Sequence, residues 1–226
     1  MERPCFNASE ISGLMGLNQW KPKSEVIQRV MSKMTQFKDK VKAPITDREL
    51  VLKAPAELKV GLKEAIIAAT EANTDESLQQ VIDEYKQTIV GKTDDKTFEA
   101  LSSEIQKQRG VKLEAVAEDN FGGVKNRGQF VQYNCPEYRI IGFIDGLKGG
   151  KIVETKNRKK FWNEPPVYDI IQLRCYMRMM GNVDGILLET FPGISAPRTT
   201  DISWSNEEWE KINKCLLETC REIYQS

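Results

Sequence analysis

The sequence predicts an α/β (α+β) fold in which a central mixed sheet of about four to five strands is flanked by helices and carries a helical insertion. Three observations lead there. Between residues 8 and 121 apolar side chains recur mostly three and four positions apart, the helical period. After Phe121 the period drops to two. "QFVQYN", "YRIIGFIDGL", "GKIVETKN" and "DGILLETF" are short, rich in branched and aromatic residues, and punctuated by Gly, Pro and Asn, as strands are. Finally, the helical pattern "VYDIIQLRCYMRMM" stands between the third and fourth of these strands, and "SNEEWEKINKCLLETCREIY" follows them, so helices and strands interleave.

In chain order, Asn7 is followed three residues later by Glu10, a capping-box spacing, and Ile11, Leu14 and Met15 form an apolar stripe, so a short helix starts near residue 8. "KPKSEVIQRVMSKM" predicts a second helix. Residues 37–56 are polar and broken by Pro44 and Pro55, which predicts a loop. "AELKVGLKEAIIAATEA" and "DESLQQVIDEYKQTI" are two further helices, and a longer one runs from Asp95 to about Phe121 with Gly110 as its weak point. Residues 37–107 thus read as a helical insertion, without legible chemistry, inside one domain spanning residues 1–226. Pro165 and Pro166 suit the start of the helix before the last strand.

Composition excludes several classes of chemistry. The chain has no histidine, which removes the imidazole base, the Ser/His and Cys/His nucleophile pairs and most zinc sites. Five cysteines without a CxxC pair fit reduced thiols in a cytosol-like compartment. No apolar run approaches the roughly 20 residues of a membrane span, and the opening lacks an apolar signal core. The expectation is an intracellular protein of the host cytoplasm or nucleus, not secreted and without a membrane partner. The 33 basic and 33 acidic residues cancel, so any polyanion site must be local. Carboxylates and lysines are left to carry any catalysis.

One stretch gathers them. In "GFIDGLKGGKIVETKNRKKFW", residues 142–162, the turn "KGGK" joins two strands, with Asp145 near the end of the first and Glu154 and Lys156 on one face of the second. Two carboxylates on neighbouring strands suit a hard divalent cation such as Mg²⁺, with Mn²⁺ as substitute, and Lys156 stands where it could position a water or an oxyanion. The neighbours Ile152 and Val153 imply burial, and buried charges need a partner or a metal. The plainer alternative makes Asp145 a turn residue and Glu154 and Lys156 an exposed strand face. Gln172 and Tyr176 lie one turn apart on a helix and reach one point, or form an ordinary amphipathic edge. Ser9, in the first turn of the opening helix, sits where free amides favour an anion or satisfy themselves; Arg3 is near it in sequence. Lys156, Arg158, Lys159 and Lys160, followed by Phe161 and Trp162, form either a backbone-binding edge with aromatic platforms or a solvated loop. Arg127, with Lys125 and Asn126, offers a second phosphate contact.

The set "GVKLE" (110–114), Asp145, "ETK" (154–156) and "QLRCY" (172–176) resembles the PD-(D/E)XK nuclease superfamily, and within it the phage lambda exonuclease or YqaJ-type viral recombinase branch. "NASEISGLMGLNQWKPKSEVI" resembles that branch's opening, and the resemblance covers residues 6–36 and 108–224. It implies a restriction-endonuclease-like core with Asp145 and Glu154 as Mg²⁺ ligands, Thr155 a ligand through its carbonyl, Glu114 a helix carboxylate near the metal, and Lys156 the catalytic lysine. It also implies catalytic-centre roles for Gln172 and Tyr176, and a terminal 5′ phosphate at Ser9, which Arg3 is close enough in sequence to assist. The activity implied is a Mg²⁺-dependent deoxyribonuclease, a 5′-to-3′ exonuclease on duplex ends in viral recombination or replication. Its implied partners are DNA, a single-strand annealing protein and two further copies in a homotrimer. Two positions depart from the pattern: Asn7 stands for a threonine, and Phe143 and Ile144 precede Asp145 where small residues or proline are common. The rival readings are a structure-selective or restriction-like endonuclease, an iron–sulfur nuclease, for which the cysteines are poorly placed, and a catalytically inactive DNA-binding module.

Overall fold

The computed structural model describes residues 2–72, 74–191 and 196–226. The elements run β1 (Cys5–Asn7), α1 (Ile11–Leu14) after a 3₁₀ turn at Ala8–Glu10, α2 (Lys23–Met31), α3 (Asp47–Lys53), α4 (Ala56–Glu71), α5 (Asp75–Ile89) and α6 (Asp95–Phe121). They continue as β2 (Gln129–Asn134), β3 (Arg139–Ile144), β4 (Gly146–Lys148), β5 (Lys151–Asn157), α7 (Val167–Met179), β6 (Gly185–Thr190), β7 (Arg198–Ile202) and α8 (Asn206–Gln225). The class is mixed α+β. No helix among the described residues is long and apolar enough to cross a membrane.

The strands form two mixed sheets rather than one, in the orders β1-β3-β2 and β4-β5-β6-β7. β1 is parallel to β3 and β5 to β6; the other pairings are antiparallel. Helix α7 supplies the crossover that a parallel β5–β6 pair requires. "YRIIGFIDGL" is therefore not one strand. β3 ends at Ile144 in the first sheet, β4 begins at Gly146 in the second, and Asp145 is the pivot between them. The pivot is tight: a Cβ on Gly146 would lie 2.2 Å from Val124 Cγ1 and 3.1 Å from the Lys125 carbonyl oxygen.

Other expectations shift for local reasons. The polar stretch 37–56 contains α3, started by a capping box in which Thr46 Oγ1 accepts from the Glu49 amide and Glu49 Oε2 from the Thr46 amide. Asn7 and Glu10 close no such box; the Asn7 amide donates 2.8 Å to the Glu10 carboxylate, and a 3₁₀ turn results. The edge strand β7 and the three-residue β1 gave no alternating pattern to read. Helix α6 runs through Gly110 without a break.

Two apolar cores divide the packing. Phe6, Ile11, Ile140, Ile152, Leu173 and Leu216 belong to the first, which joins the sheets to α7 and α8. Leu58, Leu62, Leu78, Ile82, Leu101 and Ile105 form the second, among α4, α5 and the first half of α6. The later part of α6 lies on the second sheet instead, where Ala117 packs on Val153 and Leu188. One helix thus links α4 and α5 to β5.

Two glycines respond to alanine with opposite sign. A Cβ on Gly142 would stand 2.5 Å from Tyr176 Cε1, so Gly142→Ala is expected to cost about 1–3 kcal/mol. Gly110 has nothing within 4 Å of that position and lies inside α6, so Gly110→Ala should add about 0.5–1 kcal/mol. Urea unfolding at matched m-value checks both.

Candidate active site

The site is built on the alternation of β5. Ile152, Glu154 and Lys156 face α7, while Val153 and Thr155 face α6. Glu154 Oε1 accepts from Lys156 Nζ at 2.5 Å and from Gln172 Nε2 at 2.7 Å, and the Gln172 amide also lies 3.2 Å from Tyr176 Oη. On the other face, Thr155 Oγ1 donates 3.0 Å to Glu118 Oε1 of α6. The β4–β5 ladder stops at Gly146↔Val153. Past that point the edge of β5 lacks a strand partner, and the pivot side chain replaces it: the Thr155 amide donates 2.7 Å to Asp145 Oδ2.

Glu154 is 1% exposed, and its Oε2 is buried without a hydrogen-bond partner. Burial raises its pKa, Lys156 opposes and Asp145 adds, for a value of about 8. Glu114 is likewise pushed up to about 7 by burial, against the pull of Lys156 and with Asp145 adding. Asp145 is raised by burial, against Lys156 and the Thr155 amide. Burial works against the charge of Lys156, but Glu154, Asp145 and Asp169 outweigh it and hold the ammonium above the ordinary lysine value. Several carboxylates thus share one lysine. Among the described residues no group of three or more His, Cys, Asp or Glu is arranged to hold a metal ion, so Asp145 and Glu154 form at most a two-carboxylate site, the number Mg²⁺ ordinarily takes.

Asp145, Glu154, Thr155, Lys156, Glu114, Gln172 and Tyr176 therefore meet in one place. The peripheral residues divide. Ser9 lies beyond Asn7, which pairs with Ile141, and so stands at the Asp145 end of β3; its carbonyl accepts from Lys21 Nζ at 2.8 Å. The 3₁₀ turn and four-residue α1 are too short to supply the aligned dipole expected there. Arg3 is at the far end: it donates to the Cys135 carbonyl beside Arg139, six residues or about 20 Å of strand from Asp145, and cannot assist Ser9.

Arg158 is not a backbone-binding residue. It is buried between Asp169 and Glu189, 2.8 Å from each, and Glu189 also pairs with Arg198. Arg127 is engaged with Glu118 at 2.8 Å and Asp119 at 2.6 Å, and Lys159 with Gln106 at 2.7 Å. Lys160, over the Trp162 ring at 4.7 Å, remains at the surface with exposed Phe161 and Trp162. Two residues were missed. Glu118 is buried, and its spacing of four from Glu114 was the available signal. Lys21, whose pKa is lowered first by burial, with Arg29 and Lys156 adding and Glu10 and Asp169 opposing, opens the "KPKSEVIQRVMSKM" pattern two residues before α2 begins, and nothing local marks it among the neighbouring lysines.

No protein-family model matches the chain, and no curated protein matches it. Among solved structures, the chain is similar to an alkaline exonuclease from Laribacter hongkongensis, at 16% identity and a TM-score of 0.45, covering 71% of this chain and 87% of that one. The same enzyme in complex with dAMP gives 15% identity and a TM-score of 0.44 over 71% and 86%. A Eubacterium rectale protein described as a candidate exonuclease gives 12% identity and a TM-score of 0.45 over 98% and 80%.

The raised carboxyl values set a pH dependence. Glu114 and Glu154 hold protons in the folded chain that the unfolded chain releases above about 4.5, so stability is present below that pH and is lost as pH rises towards about 8. Melting temperature should fall across this window, and Glu154→Gln should flatten the fall. Arg158→Met leaves Asp169 and Glu189 buried with a lost partner and is expected to cost about 3–5 kcal/mol, whereas Lys160→Ala should change stability by no more than about 0.5 kcal/mol. Chemical denaturation measures the contrast.

Proposed function

We propose that this chain is a divalent-cation-dependent deoxyribonuclease of the PD-(D/E)XK type. The observation that carries the reading is the buried Glu154, whose Oε2 is unpartnered beside Asp145 and Lys156. A fully buried carboxylate oxygen without a donor is costly, and a hard cation satisfies it where another hydrogen bond does not. Asp145 and Glu154 are the residues that would hold Mg²⁺ or Mn²⁺. In an extended strand the N–H and C=O of one residue share an edge, so the Thr155 carbonyl stands on the same edge as Asp145 and would complete the set. When bound, such an ion lowers the pKa of a water and neutralises charge on a phosphoryl group.

The remaining steps belong to the chain's own side chains. Lys156 stays protonated because its surrounding carboxylates hold it so; its role is to stabilise charge on a non-bridging phosphate oxygen rather than to act as a base. Glu114, at about 7, is suited to accept a proton near neutral pH. Gln172 fixes Glu154 through Oε1, and Tyr176 supports Gln172. Lys160, Phe161 and Trp162 offer a solvent-facing edge for a nucleic-acid strand. Following the sequence resemblance, the proposal extends to 5′-to-3′ degradation of duplex ends in recombination or replication, with a single-strand annealing protein and a homotrimeric assembly.

End-labelled linear duplexes with and without a 5′ phosphate, and closed circles, test the reading. Wild-type protein should degrade the linear duplexes only with Mg²⁺ or Mn²⁺, and Glu154→Gln and Lys156→Ala should each lose at least about 100-fold in rate. Mn²⁺ should raise the melting temperature more at about pH 8 than at about pH 5.5, because protons compete for the same oxygens. Cleavage of closed circles would place the activity with endonucleases; linear duplex left intact under both metals would end the proposal.

A further inference from the structure

Glu118 is a buried acid that the mechanism above leaves unused. It is 5% exposed and lies four residues after Glu114, on the face of α6 that meets β5. Both its oxygens are engaged: Oε1 accepts from Thr155 Oγ1 at 3.0 Å, and Oε2 lies 2.8 Å from Arg127 Nε. Such an ion pair is a weak way to gain stability, since an apolar pair of similar volume often does as well. Its placement says more. Thr155 is the residue whose amide holds Asp145, so its peptide is fixed at two points, by α6 through the hydroxyl and by the pivot through the N–H.

Arg127 completes the arrangement. It sits in the loop 122–128, where Gly122, Gly123 and Gly128 have φ of 70°, 70° and 66° and Asn126 has 56°. Those left-handed positions curl the loop back so that Arg127 reaches Glu118 and Asp119, while Lys125 and Leu147 exchange backbone hydrogen bonds of 2.8 Å. The loop is thereby fastened to α6 on one side and to β4, directly after Asp145, on the other.

We propose that Glu118 is a positioning residue of the cation centre: pinned by Arg127, it orients the Thr155 peptide and, through that peptide, Asp145. The inference rests on the cation-dependent reading given above. It assigns Glu118 and the Thr155 hydroxyl to the affinity for a divalent cation, not to contact with DNA. Residues that orient metal ligands typically change metal affinity by about 10–100-fold when removed.

The test is Mn²⁺ binding to the full chain at about pH 8, followed by loss of the free-ion EPR signal, for wild type, Thr155→Val, Thr155→Ser, Glu118→Ala and the Thr155→Val/Glu118→Ala pair. Thr155→Val keeps the side chain's shape and removes only its donor, so it stays informative even where Glu118→Ala unfolds the chain. Expected are dissociation constants raised about 10–100-fold in Thr155→Val and Glu118→Ala, near wild type in Thr155→Ser, and no further loss in the double variant, because the two residues act as one unit. A packing role for Thr155 predicts the reverse order, with serine worse than valine, and would overturn the proposal. So would wild-type affinity in Thr155→Val, or losses that multiply in the double variant. A wild-type chain that takes up no Mn²⁺ overturns the underlying reading together with this one, whereas wild-type uptake with unaltered variants overturns this one alone.

Discussion

The full burial of Glu154 on a strand is the constraint around which the molecule is arranged. An ionised carboxylate out of water costs several kcal/mol unless it is paired and hydrogen-bonded. Lys156 and Gln172 satisfy one of its oxygens and leave the other open. For Gln172 to reach it, α7 must lie flat on that face of β5, which the crossover to parallel β6 accomplishes. For Tyr176 to lie beneath Gln172, β3 must present a glycine at 142. The same burial raises Glu154 and its acidic neighbours together.

Strand β5 separates two kinds of work by its period of two. The face towards α7 carries Glu154 and Lys156; the face towards α6 carries Val153 and Thr155, one for packing and one for the hydrogen bond to Glu118. Helix α6 spans both regions of the chain, rooted in the second core through Leu101 and Ile105 and delivering Glu114 and then, one turn further on, Glu118 onto β5. Helices α4 and α5 thus bear on the site through the helix they brace. At the end of β5 the Asp169–Arg158–Glu189–Arg198 network ties α7, β6 and β7 to the same strand. That network holds the edge from which Lys160, Phe161 and Trp162 project.

The parts legible in the sequence were those set by short-range periods. The strand alternation brought Glu154 and Lys156 to one face, the one-turn spacing put Gln172 and Tyr176 together, and the change from helical to strand period after Phe121 gave the α+β class. What escaped depends on partners distant in the chain. Arg158 sits in a basic run and looks solvated, yet its carboxylate partners are 11 and 31 positions away and draw it inside. Nothing local says that "YRIIGFIDGL" changes sheets at Asp145; Val124 and Lys125 crowd Gly146 from a loop about twenty residues upstream. Arg3 and Ser9 are neighbours in sequence, but a strand and a turn carry them to opposite ends of β3. Glu118 could have been inferred from its spacing to Glu114, whereas its burial could not.

On the proposed reading, Asp145 and the open oxygen of Glu154 jointly hold one divalent cation. Anomalous diffraction from crystals grown with Mn²⁺ tests it most directly. A single strong peak is expected in direct contact with Glu154 Oε2 and an Asp145 carboxylate oxygen, absent in Glu154→Gln. A Mn²⁺ peak elsewhere on the chain with this pair vacant, or a peak retained at the pair in Glu154→Gln, would contradict it.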